Sequence, residues 1–165
     1  IQPASHDHIT AITEIYGHYV LHTAISFEEK PPKKDEMQRR FSATIAAGLP
    51  YLVALDDDQV LGYAYASLYR PRRAYRFTVE ESVYVHPDHL GKGIGRKLLE
   101  AIIQYCKDKE YKQMLAVITG SGADVPSILF HNSMGFEEIG VLKKVGFKQN
   151  TWLDTTYMQL ALTDK

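Results

Sequence analysis

The segment Ser82-Val83-Tyr84-Val85-His86-Pro87-Asp88-His89-Leu90-Gly91-Lys92-Gly93-Ile94-Gly95-Arg96 holds the densest chemistry in the sequence. A β-branched strand runs into three alternating glycines and then straight into a helix. Glycines let backbone come close to a ligand, and the N–H groups of a first helical turn point at negative charge. Lys92 and Arg96 add positive charge at the same end. The stretch therefore reads as an anion site, with a tight turn that holds no ligand as the alternative. It is not a P-loop, because no Lys-Ser or Lys-Thr follows a suitably spaced glycine. Nor is it the dinucleotide fingerprint, since the spacing is G-x-G-x-G rather than G-x-G-x-x-G.

Other groups could move protons or hold a substrate. Glu80 and Glu81 are adjacent in a strand rich in Thr, Val and Tyr. A carboxylate there can take a proton from an amine, directly or through water. Neighbours on a strand point to opposite faces, so periodicity does not choose between them. His131 sits between Ser127 and Gly135 on an expected helix and titrates in the range useful for proton transfer, although a lone helical histidine also serves structure. Arg70, Arg72, Arg73 and Arg76 are interleaved with Tyr69 and Tyr75. That cluster is either a solvated loop or a clamp for a carboxylate or phosphinate, which suits a forked guanidinium. In the clamp reading Arg72 holds the anion while Tyr75 and Thr78 shape the rest of the acceptor. His86 and His89 lack a third ligand of compelling spacing, so no metal site is expected. Cys106 falls on an apolar helical stripe and reads as core.

The elements that must position these groups follow from hydrophobic period. Ile9, Ile12, Ile15, Tyr16, Tyr19 and Val20 predict a helix over 7–20, with Ser5 or Asp7 at its start. A second helix is expected over 33–47. Segments 51–55 and 60–69 flank Asp56-Asp57-Asp58-Gln59 as a hairpin, and a third strand is expected near 75–85. The glycine turn opens a helix with the stripe Ile94, Leu98, Leu99, Ile102, Ile103 and Cys106. A short strand over 115–119, a helix from 126 to Gly135 and a final strand over 152–162 complete the order, which argues for a mixed α/β sandwich around one sheet.

Composition agrees with one domain over residues 1–165. The chain is 45% hydrophobic and 24% charged, an ordinary globular balance. Its formal net charge of −1 gives no overall field to draw nucleic acid or an anionic membrane, so neither partner is expected. A single cysteine excludes an intramolecular disulfide and fits a reducing compartment. The first residues lack the basic start and apolar stretch of a signal peptide, so a cytoplasmic location is expected.

Leu90-Gly91-Lys92-Gly93-Ile94-Gly95 resembles the [Q/R]-x-x-G-x-[G/A] motif of the GNAT N-acetyltransferase superfamily, departing from it only at Leu90. Arg70-Pro71-Arg72, Tyr75, Thr78-Val79-Glu80, Ser82 to Val85, His131, Gly135-Phe136, Gly146-Phe147-Lys148 and Trp152-Leu153-Asp154 are similar to the phosphinothricin acetyltransferase branch. The resemblance implies a mostly antiparallel twisted sheet flanked by helices and acetyl-CoA as co-substrate without a metal. It implies that Val83, Tyr84 and Val85 pair with the pantetheine arm and that Gly91, Lys92, Gly93, Ile94, Gly95 and Arg96 hold the pyrophosphate. Asp124 corresponds to a cofactor-binding position at the head of the next helix, where the family usually places Asn, with a plain helix cap as the alternative. The resemblance favours Glu80 over Glu81 as general base, and puts His131 near the family's thiolate-protonating tyrosine. The implied acceptor is a small amino-acid-like amine such as phosphinothricin or methionine sulfoximine, and the implied assembly is a homodimer. Another small amine, a protein N-terminus, or acetyl-CoA sensing without turnover are the alternatives.

Overall fold

The computed structural model describes residues 1–122 and 125–163. Strand β1 (Gln2–Pro3) leads through a short 3₁₀ turn into helix α1 (Ile9–His22), and helix α2 (Lys34–Ala46) follows. Ser5 starts that turn, its N–H donating to His8 Nδ1 at 2.9 Å. The chain continues through β2 (Tyr51–Asp56), β3 (Gln59–Leu68), β4 (Thr78–Val85), α3 (Ile94–Asp108), β5 (Gln113–Thr119), α4 (Pro126–Ser133), β6 (Glu137–Lys148) and β7 (Thr151–Ala161). The strand expected to begin near 75 begins at Thr78, because Arg73–Tyr75 winds into a 3₁₀ turn. Strand β6 was not expected from hydrophobic period at all.

The sheet has the order β1-β2-β3-β4-β5-β7-β6. Every pairing is antiparallel except β4 with β5. That parallel contact is short. Only Thr78, Val79 and Glu80 register with Gln113, Met114 and Leu115, after which the two strands part.

A separate core fills each face. On one, the α3 stripe Leu98, Leu99, Ile102 and Cys106 is fully buried against Val79, Ala64, Ala66, Met114 and Met158. Burying such a side chain is worth about 1.5–3 kcal/mol, so the stripe fixes α3 beneath β3 and β4. Burial also pushes the Cys106 thiol up to about 12, which makes it an inert core residue. On the other face, Ile9, Ile12, Ile15, Tyr19 and Val20 of α1 and Phe41 of α2 pack on an aromatic ladder, Tyr51, Tyr63, Tyr65 and Tyr84.

Candidate active site

The parting of β4 from β5 creates the site. Strands alternate the direction of their backbone groups, and His86 N–H donates to Leu61 on β3. Even-numbered residues of β4 thus face β3, and the amides and carbonyls of Glu81, Val83 and Val85 face the gap. A buried backbone group without a partner costs about 1–3 kcal/mol, so these groups need partners. Val85 carbonyl has one, the Tyr19 hydroxyl at 2.5 Å from α1. Beyond the parting, Glu81 to Tyr84, Val117 to Thr119, Pro126, Ser127 and His131 surround a cavity of about 200 Å³. A second, of about 520 Å³, shares Val83, Tyr84, Ser127 and His131 with it and runs on to Gly91–Arg96.

The glycine turn closes that larger cavity. Gly91 and Gly93 have φ of 74° and 77°, left-handed values that disfavour other residues. A Cβ built on either meets no atom within 4 Å, so space as well as dihedral is kept free there. Gly93 caps α3, whose first internal bond runs from Lys97 N–H to Gly93 carbonyl at 3.2 Å. The preceding amides of 94–96 are left to meet an anion. Arg96 reaches α4, donating to Ser133 Oγ at 2.7 Å, while Lys92 Nζ stands 3.3 Å from His89 Nδ1. Phosphates at the turn and an extended, amide-bearing arm in the gap fit these residues.

His131 and Glu81 meet at the other end. His131 is 5% exposed and Glu81 7%. Nε2 of the ring lies 2.8 Å from Glu81 Oε1, and Nδ1 lies 2.7 Å from the Ser127 carbonyl one helical turn back. Burial alone would lower the histidine's pKa, but the Glu81 hydrogen bond, its charge and the Ser127 carbonyl together raise it above the usual value. Glu81 Oε2 is buried and has no hydrogen-bond partner among the described residues.

Glu80 points to the opposite face, half-buried beside the aromatic ladder. Burial, then the charge of Glu81, raises its carboxyl above the usual range. Thr78 precedes it by two positions and shares its face. Arg72 is exposed at the head of the 3₁₀ turn, and its carbonyl accepts the Tyr75 N–H at 2.9 Å. Tyr75 packs edge-on to Tyr69, with the Arg70 guanidinium over both rings at 5.8 and 5.0 Å. None of Arg72, Tyr75 or Thr78 lines either cavity. The structure therefore joins Val83–Val85, the glycine turn and His131 in one continuous space, sets Glu80 across the sheet from it, and leaves the basic loop at the far end of β4. Asp124 lies outside the described residues.

Glu81 enters the sequence reading only as the alternative set behind Glu80, and Tyr19 and Ile25 do not enter it as site residues. Glu81 could have been found by parity once His131 was placed under β4. Tyr19 read only as an apolar position of α1. Ile25 lines both cavities from the loop after α1. That loop is held by Tyr16 on Ser26 at 2.9 Å, by the Arg40–Glu28 pair and by the buried Lys148 ammonium on the Ser26 carbonyl.

A family model described as an acetyltransferase (GNAT) domain matches residues 1–157. A phosphinothricin N-acetyltransferase of Alcaligenes faecalis is 49% identical over 94% of this chain and 79% of its own length. An L-methionine sulfoximine/L-methionine sulfone acetyltransferase of Salmonella typhimurium is 42% identical over 93% of this chain and 89% of its own. A Sinorhizobium meliloti phosphinothricin acetyltransferase, solved in complex with acetyl-CoA, superposes with a TM-score of 0.93 at 46% identity, covering 97% of this chain and 86% of that one.

Proposed function

Because this chain belongs to the GNAT acetyltransferase family, we propose that it transfers the acetyl group of acetyl-CoA to the amino group of a small amino-acid-like acceptor. The observation that carries this reading is the β4–β5 gap running on to the glycine turn. The relatives named above act on phosphinothricin and on methionine sulfoximine or sulfone, and acceptors of that class are proposed here.

Bound acetyl-CoA supplies an acyl carbon already activated as a thioester. The amides of Gly91 to Arg96, with Lys92, hold its pyrophosphate, and the stretch Val83 to Val85 receives the pantetheine arm, its open groups being those of Val83 and the Val85 amide. No side chain need act as nucleophile, because the acceptor amine attacks directly. Glu80, on the aromatic face, takes the proton that the incoming ammonium must lose. Its raised pKa suits that task, since a base works best near the ambient pH. His131, held against Glu81, belongs to the buried pair that serves the proton of the departing sulfur. Arg72 clamps the acceptor carboxylate and Tyr75 and Thr78 shape its path, all three from outside the two cavities.

Free-thiol release from acetyl-CoA, screened over an amino-acid and antibiotic panel, tests the reading. Phosphinothricin or methionine sulfoximine should be turned over, with Arg72→Ala raising KM for them and leaving simple amines unaffected. Thiol release with aminoglycosides or peptide N-termini alone would reject the acceptor class. No release with any amine would reject the activity.

We infer three further properties. Residues 1–165 form one domain, supported by a single sheet that draws strands from Gln2 to Ala161. Two copies form a homodimer across β6, an edge strand whose Ile139, Leu142, Val145 and Phe147 are exposed beside Trp152. A cytoplasmic, detoxifying role fits one buried thiol and acceptors of the phosphinothricin class. No described helix is long and apolar enough to cross a membrane.

A further inference from the structure

Glu81 enters the roles assigned above only through His131, yet it is the buried acid in contact with that ring. A carbonyl oxygen can only accept, so the 2.7 Å contact with Ser127 fixes a proton on His131 Nδ1. The Nε2–Oε1 contact at 2.8 Å then needs a proton between its two atoms. Both ring nitrogens are consequently engaged, and His131 has no free site to offer a sulfur atom. The remaining unengaged polar atom of the pair is Glu81 Oε2, buried and without a partner among the described residues. Leaving a carboxylate oxygen so is costly unless something else approaches it. Glu81 and His131 both line the cavity in the β4–β5 gap, where the reacting groups meet in the acetyl-transfer reading.

We propose that Glu81 is the catalytic proton carrier of this site and that His131 is its positioning partner. Resting on the transfer reading, the step balances as follows. As the new N–C bond forms, Glu81 Oε2 accepts the proton shed by the amine nitrogen, and the imidazolium stays on Oε1. As the C–S bond breaks, the same oxygen returns that proton to the sulfur, which leaves as a thiol. The dyad ends with the protons it began with, imidazolium on His131 and carboxylate on Glu81. Glu80 acts earlier and on the other face, sending the first ammonium proton to solvent.

The charged groups around the dyad are few. Glu80 is next to Glu81 on β4, Arg96 reaches from α3 to Ser133 and Met134 at the end of α4, and exposed Glu137 and Glu138 open β6. On β5, Met114 to Thr119 bring none. A pH response of His131 therefore reports chiefly on Glu81.

The test pairs kinetics with an NMR titration of the His131 ring in the full chain. Glu81→Gln is isosteric, and calorimetry with CoA verifies that the site is intact. Turnover should fall by roughly 10²-fold or more, KM for acetyl-CoA should hold, and the His131 titration should move to lower pH than in the wild type. Glu81→Asp should restore part of both. Wild-type turnover in Glu81→Gln, or an unmoved His131 titration, overturns the proposal. A wild-type chain that releases no thiol while His131 still titrates with Glu81 overturns the transfer reading instead, and the catalytic role with it.

Discussion

Glu80 and Glu81 are consecutive carboxylates with opposite surroundings, and the difference is the alternation of a strand. Glu81 is enclosed with His131 beneath the sheet, whereas Glu80 stands half-buried on the face that carries the tyrosines. Replacing Glu80 by Gln should lower turnover by roughly 10² to 10⁴, the span for losing a general base, with CoA affinity unchanged by calorimetry. Stability should move the other way. A carboxyl whose folded pKa lies above its unfolded one penalises the fold while ionised, and the penalty fades as pH falls through the folded pKa and is gone below the unfolded one. Glu80→Gln should thus melt at a higher temperature than the wild type at pH 7, with the gap closing toward pH 4. Equal melting temperatures at pH 7 would remove burial as the cause of the shift. Sequence alone supplied the pair and its opposed faces. Which face lay over His131 depended on how α4 docks, and no local spacing contains that.

Among the elements, the glycine turn was legible and β6 was not. The turn announces itself because left-handed φ at Gly91 and Gly93 demands a residue type. Gly93→Asn, which tolerates such a φ, separates dihedral strain from bulk. It should keep the melting temperature near wild type yet weaken CoA binding, whereas Gly93→Val should impair both. Unchanged CoA affinity in folded Gly93→Asn would move the pyrophosphate away from the turn. Strand β6 hides its period because two irregularities break its register, between Glu138 and Gly140 and between Leu142 and Gly146. Lys144 sits in the second with φ 53°, and Asp154 Oδ1 accepts its N–H at 2.9 Å. Asp154 also binds Ser121 Oγ and Lys143, which hold its carboxyl down to about 2, the Ser121 hydrogen bond contributing most. A lowered carboxyl pKa gives stability that is whole above the ordinary 3.8 and is lost as pH falls toward 2. Asp154→Asn should therefore melt earlier than wild type at pH 7, and the two curves should converge on acidification from pH 4 to 2.

At the scale of the whole molecule, two cores on one sheet leave the β6–β7 margin weakly covered. Phe147 is 51% exposed and Trp152 61%, their rings 5.0 Å apart on the β6–β7 hairpin. Trp152→Glu should place a charge in the proposed homodimer contact and yield a monomer by light scattering after gel filtration. A wild-type chain that elutes as a monomer would sink that assembly. Trp152 is also the only tryptophan in the sequence. Its indole emission is therefore a one-residue optical gauge of that margin. A concentration-dependent blue shift would follow association of the hairpin, while chemistry at the glycine turn, between β4 and α3, would leave the colour of the light unaltered.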